Sequence, residues 1–323
     1  MSNAKLPALT RPVPPGRIFS RLNRHLIGEK MIRKVRLLPF AALVGIAACS
    51  VKEAPKTADT SAAATSVASA SATPNVVAIT ASEYKFEMPD QIPAGLTTFK
   101  LTDTGKELHH ATLIKLDSGK TLNDLTTGIK NMKPGTPPPG WVIPAGGPNA
   151  TAPGNSVSLT TVLQPGNYAV VCFIPDSKGV PHVVHGMAKA LTVTPNPNAN
   201  MTEPTADVTV TLSDYKFDFS TPLTAGKHTL KIVTAPGQPH EYTFFQLSPG
   251  KKATDLIKYV ETGMQGPPPG MPIGGVAAMA AGNTAYYEVD LKPGDYAIIC
   301  FLEDAKDGKP HYTHGMIQQI KVT

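Results

Sequence analysis

The chain has few cysteines, no apolar stretch of membrane-spanning length in its N-terminal segment, and almost no net charge once that segment is set aside. It has three cysteines in 323 residues. Cys172 and Cys300 occupy the same place in two copies of a repeat, so neither copy can close an internal disulfide. An immunoglobulin-type sandwich would normally carry the missing partner. The apolar run at 37–48 is about 12 residues, too short to span a bilayer. The formal charge of +6 comes from residues 1–36, which hold nine bases and one acid. The rest keeps 21 of the 30 bases and 23 of the 24 acids, about −2 net, so there is no electrostatic case for a nucleic-acid partner. No Ser-His-Asp order, phosphate-cradling loop or paired-carboxylate motif stands out.

The N-terminus reads as an address rather than a fold. From Met31 a basic stretch precedes the apolar run, the pattern of a signal peptide over 31–48. The run ends Ile46-Ala47-Ala48-Cys49, which resembles the bacterial lipobox; the resemblance implies that Cys49 carries lipid and becomes the mature N-terminus. Residues 1–30 look like a non-structural extension. Residues 49–74, dominated by Ala, Ser and Thr, read as a disordered tether. The expectation is an exported protein tied by lipid to a bacterial membrane, with the periplasmic face of the outer membrane or the cell surface favoured by Ser50.

From residue 75 onward most of the chain repeats itself. Ser82-Glu-Tyr-Lys-Phe-Glu recurs as Ser213-Asp-Tyr-Lys-Phe-Asp, and Gln164-Pro-Gly-Asn-Tyr-Ala-Val-Val-Cys172-Phe as Lys292-Pro-Gly-Asp-Tyr-Ala-Ile-Ile-Cys300-Phe. Val180-Pro-His-Val-Val-His-Gly-Met187 recurs as Lys309-Pro-His-Tyr-Thr-His-Gly-Met316. The offset is 131 early and 128–129 late, which means tandem domains at 75–195 and 205–323 with a short linker at 196–204. Short segments rich in Val, Ile, Thr and Tyr at 76–80, 97–102, 111–116, 157–162, 168–174 and 190–193 read as strands. A helix fits 121–131 and its counterpart 252–262, each followed by Pro-Pro-Pro-Gly. The expected fold is all-β, two Greek-key sandwiches each with a short helical and Pro-rich insertion.

Alternation along the strand into each cysteine turns the thiol inward, with Tyr168 and Val170 in one copy and Tyr296 and Ile298 in the other. Upstream stands a histidine at a strand start, His109 or His240; downstream lies Pro-His-x-x-His-Gly-Met. Thiolate, thioether and two imidazoles form a set that selects copper. The stretch Gly105-Lys-Glu-Leu-His109, and Pro-Gly-x-Tyr-x-x-x-Cys followed by His and Gly-Met, resemble the two ligand segments of the cupredoxins, the blue-copper superfamily of plastocyanin and azurin. The resemblance implies ligands at His109, Cys172, His182 and Met187, and at His240, Cys300, His311 and Met316. It departs at one point: nine residues separate Cys172 from His182 and ten separate Cys300 from His311, where the family has two to four. A loop of that length closes at small entropic cost but is expected to hold its ends less firmly.

His185 and His314, each in a His-Gly-Met, are possible alternative ligands resembling those of periplasmic copper chaperones. His110 is set aside because it aligns with Glu241, and His228 reads as surface. Three functions are open: an anchored electron carrier with a redox partner, a copper trafficking or storage protein with a copper-donor partner, or a metal-free interaction module. An enzyme is not expected, because the multicopper oxidases use His-x-His pairs and this chain has none.

Overall fold

The computed structural model describes residues 74–117, 119–132 and 136–323. The extension, the signal peptide, Cys49 and the tether up to residue 73 lie outside the described residues. Among the described residues no helix is long and apolar enough to cross a membrane.

The first repeat runs β1 (Asn75–Ser82), β2 (Lys85–Glu87), β3 (Gln91–Pro93), β4 (Gly95–Asp103), β5 (Thr112–Leu116), α1 (Leu122–Asn131), β6 (Val142–Pro144), β7 (Ser156–Leu163), β8 (Gly166–Val171) and β9 (Ala188–Thr194). The second runs β10 (Val208–Ser213), β11 (Lys216–Phe219), β12 (Gly226–Thr234), β13 (His240–Leu247), α2 (Ala253–Glu261), β14 (Gly270–Met279), β15 (Thr284–Leu291), β16 (Gly294–Ile299) and β17 (Ile317–Val322). The all-β expectation with one short helix per copy holds. Period-two burial builds the strands: Val77, Ile79 and Ala81 of β1 face inward while Val76 is exposed. The expected strand 168–174 ends earlier, at Val171, because the Cys172 carbonyl leaves the ladder to accept from Val183 N–H at 2.8 Å.

Each repeat is a sandwich. In the first, β2-β1-β4-β7 packs against β3-β9-β8-β5-β6; in the second, β11-β10-β12-β15 packs against β14-β13-β16-β17. The Pro-Gly-x-Tyr motif is a corner: Tyr168 and Tyr296 hydroxyls donate back to the Gln164 and Lys292 carbonyls, each at 2.9 Å. Thr121 caps α1, accepting from Asp124 N–H while Asp124 accepts from Thr121 N–H.

The two copies meet edge to edge. β7 pairs with β15, so one eight-stranded sheet runs through both repeats and a single apolar cluster spans them. Equivalent residues face one another: Leu159 pairs with Tyr287 and Pro148 with Val276, and the pair Ala145–Met279 mirrors the pair Thr151–Ile273. Like meeting like is the signature of a local two-fold relation. Gly147 and Gly275 lie in this seam at φ of +113° and +115°, and a Cβ on either would overlap a carbonyl oxygen, that of Ala111 or Tyr242.

Candidate metal centres

In the first repeat β8 delivers Cys172 to one end of the sandwich. Its N–H donates to the Met187 carbonyl at 3.2 Å, and the Met187 N–H donates to the His182 carbonyl at 3.0 Å. These bonds tie the Cys, the second His and the Met into one knot of backbone. The thiol lies 3.5 Å from His182 Nδ1, which lies 3.2 Å from His109 Nδ1. The second repeat reproduces this: Cys300 Sγ is 3.4 Å from His311 Nδ1, and His311 Nδ1 is 3.1 Å from His240 Nδ1. Cys300 N–H donates to the Met316 carbonyl at 3.1 Å. In each case the three donor atoms fall within 4.8 Å of one another.

All eight side chains are fully buried. Met187 and Met316 sit in the same apolar cluster as their cysteines. His185 and His314 stand outside these triads. His185 Nε2 is 3.0 Å from Asp176 and His314 Nε2 is 3.2 Å from Asp307, and both rings are partly exposed. His228 is mostly covered and bonds Asp207 and the Thr224 carbonyl, rather than lying free on the surface.

The long loop from Cys to His is better held than its length suggests. Pro175 bridges Pro181, and the Asp176 carboxylate accepts from the N–H groups of Lys178 at 2.8 Å and Val180 at 2.9 Å. His182 N–H then donates to the Ile174 carbonyl at 3.0 Å. In the second copy Glu303 bridges Pro310, and His311 N–H donates to the Leu302 carbonyl at 2.8 Å. The insertion is a closed hairpin, and its two ends enter the site already paired.

Burial sets the protonation states. It pushes the Cys172 thiol up to about 12 and the Cys300 thiol upward as well. It lowers His109 and His311 to about 4, and it lowers His182 and His240. Without a cation each centre therefore holds a thiol and two neutral imidazoles. The two Nδ1 atoms and the sulfur of each centre converge on one another. Such a set fits a soft metal ion, whose charge would stabilise the thiolate that burial alone forbids.

Sequence reasoning missed a surrounding layer. Glu83 and Asp214 at the tips of the β1–β2 and β10–β11 hairpins, with Glu107 and Asp304, face the outward Nε2 atoms of the four histidines. Tyr84 covers His182 at 4.9 Å between ring centres and Tyr215 covers His311 at 5.6 Å. The Ser-acid-Tyr-Lys repeat is visible as a signature in the sequence, but its role is not.

His110 and Glu241, which do not match as residue types, do the same job. His110 Nε2 accepts from Phe173 N–H at 2.7 Å and Glu241 Oε1 from Phe301 N–H at 2.8 Å, fixing the residue after each cysteine. Asn149, in the seam, adds to the electrostatics of both groups while donating to Thr243 Oγ1 and the Val276 carbonyl.

No family model matches the chain, and no curated protein matches it. Solved structures do. A multicopper oxidase is 14% identical, with 77% of this chain and 88% of that one covered and a TM-score of 0.24. An auracyanin from the photosynthetic bacterium Roseiflexus castenholzii is 21% identical, covering 38% of this chain and 99% of its own at a TM-score of 0.26. A copper nitrite reductase from Nitrosomonas europaea is 14% identical, covering 78% of this chain and 94% of its own at a TM-score of 0.23. The expectation that the chain is not an enzyme is corrected by these matches, since oxidases and nitrite reductases stand beside the auracyanins. Likeness at this level does not assign a reaction to the chain either.

Proposed function

We propose, with the cupredoxin-like fold as premise, that each repeat of this chain binds one copper ion and that the protein transfers electrons through these two centres while anchored outside the cytoplasm. The observation that carries the reading is the twofold occurrence of one buried thiol and two Nδ1 atoms within 4.8 Å of one another. Cys172, His109 and His182 would hold one ion and Cys300, His240 and His311 the other, with Met187 and Met316 as the weak fourth donors. Bound copper would supply a one-electron couple. The chain's own part is to hold the donors rigidly and keep water out. Fully buried side chains, hairpin-locked loops and backbone bonds between Cys and Met support that role.

The anchor belongs to the same proposal. Cys49 in its lipobox-like setting would carry the lipid, and the tether would let the centres reach a redox partner on the membrane's periplasmic face or at the cell surface.

The test is copper titration of the purified protein. Two equivalents of Cu(II) should bind with an intense visible charge-transfer band, and Cys172→Ser and Cys300→Ser should each remove about half of it. If both variants bind Cu(II) with an unchanged spectrum, thiolate ligation is wrong. A colourless Cu(I) complex that survives loss of both thiols but not of Met187 and Met316 would indicate trafficking instead.

A further inference from the structure

An imidazole that offers Nδ1 to a metal must carry its proton on Nε2, and that N–H looks for an acceptor. Here the groups facing the Nε2 atoms are carboxylates, and they are placed differently in the two copies. In the first repeat Glu107 Oε2 lies 3.0 Å from His182 Nε2, while Glu83 Oε1 stands off at 3.9 Å from His109 Nε2. In the second the order is reversed. Asp214 Oδ1 bonds His240 Nε2 at 3.1 Å, while Asp304 Oδ2 stands off at 3.9 Å from His311 Nε2. The near acid thus sits on the downstream His in one centre and on the upstream His in the other.

The near acids do not come from equivalent positions. Glu83 and Asp214 match in the repeat, and the shorter aspartate is the nearer of the two. Glu107 has no counterpart, because the second copy is one residue shorter between its loop glycine and its histidine. Asp304 matches Asp176, which turns to His185 instead.

The standing-off acids are otherwise occupied. Lys106 and Glu107 N–H groups donate to Glu83, and the Tyr215 hydroxyl and Gln238 Nε2 donate to Asp304. Among the described residues Glu107 accepts from the Tyr84 hydroxyl at 3.3 Å, and its Oε2 is placed 3.0 Å from His182 Nε2, out of line for a hydrogen bond.

A second observation keeps the gap between acid and ring open. A Cβ on Gly105 would lie 2.6 Å from Glu83 Oε1 and 2.9 Å from His109 Nε2, and one on Gly237 would lie 2.9 Å from Asp214 Oδ1. The loop glycine ahead of each upstream histidine leaves space that a side chain would close.

We infer that Glu107 and Asp214 are positioning residues that set the two centres apart, each fixing one histidine with its Nδ1 bare and favouring the oxidised ion through its negative charge. The inference rests on the proposal that both centres bind copper. A carboxylate on the far nitrogen makes the near one a stronger donor and lowers the local potential. Each centre should feel its near acid more than its distant one.

The experiment is a spectroscopic redox titration of the copper-loaded full chain, with each wave assigned by its loss in Cys172→Ser or Cys300→Ser. Glu107→Gln should shift the Cu(II)/Cu(I) affinity ratio of the first centre about tenfold, a rise of about 59 mV in its potential, and leave the second centre in place. Asp214→Asn should do the same to the second centre alone. Glu83→Gln should move the first centre by less. Equal shifts from Glu83→Gln and Glu107→Gln, or no shift from Glu107→Gln and Asp214→Asn, overturn the inference while leaving copper binding intact. A wild-type protein with no thiolate band overturns both. A residue that only supported the fold would change unfolding midpoints and not a potential.

Discussion

At the seam the two repeats behave as equals, while beside their metal centres they differ. Leu159 faces Tyr287 and Pro148 faces Val276, each residue meeting its own counterpart. Next to the upstream histidine, however, the first copy has His110 and the second has Glu241, and both cap the N–H that follows the cysteine. Asn149 lies nearby in the seam, donating to Thr243 Oγ1 and the Val276 carbonyl, and its own counterpart is Ala277. The difference teaches that the repeat conserves an acceptor rather than a residue type. The two-fold relation is also broken at a buried amide, since Asn149 has an alanine as its counterpart.

The equality of the copies can be broken most severely at their glycines. Gly147→Ala and Gly275→Ala should each cost about 4 kcal/mol or more, since the new methyl meets a carbonyl oxygen at a positive φ. Urea denaturation would measure this, and a loss below about 1 kcal/mol in either variant would mean the seam yields easily. Asn149→Ala should cost about 3 kcal/mol. It removes Nδ2 bonds to Thr243 Oγ1 at 2.9 Å and to the Val276 carbonyl at 3.0 Å, both buried.

The pair at the broken position should also respond oppositely to pH. Burial lowers His110 to about 4 and raises Glu241 to about 7. His110 therefore contributes stability that is full above its unfolded value of 6.5 and lost as pH falls toward 4. Glu241 contributes stability that is full below its unfolded value of 4.5 and lost as pH rises toward 7. His109 and His311 act in the same sense as His110, so the metal-free protein should gain stability overall from pH 4 to 6.5. Glu241→Gln should steepen that gain by up to about 3 kcal/mol, read from unfolding midpoints across pH. An unchanged slope would show that the carboxyl is charged at no cost in the fold.

The smallest effect is expected at the methionines. Met187→Leu or Met316→Leu preserves volume and should change stability by less than about 1.5 kcal/mol, yet it should alter the visible spectrum of the copper centre in the same repeat only. A spectrum that ignores both substitutions would place the thioethers outside the copper shell.

Much of the fold and of the donor set is legible in the sequence because it lies in periodicity and order. The repeats show the two copies, alternation shows the inward thiol, and Cys172, His182 and Met187 stand close enough in the chain to be read together. The acids are not legible. Glu83 and Asp214 are ordinary residues at a hairpin tip, and only the folded β1–β2 and β10–β11 turns carry them across to a histidine more than 20 residues away in sequence. His110 escapes notice because an alignment compares residue types and not the hydrogen bonds they make. The concern over the Cys-to-His loop comes from counting residues, whereas the pairing of Pro175 with Pro181 shortens it to a stem.

The like-with-like edge has a further consequence for the chain as a piece of engineering. β7 is an antiparallel partner for its own counterpart, so a first repeat cut free of the second would carry a strand edge already shaped to accept another copy of itself. In the intact chain each copy covers the other's edge, while one copy keeps its near acid on the downstream ring and the other on the upstream one.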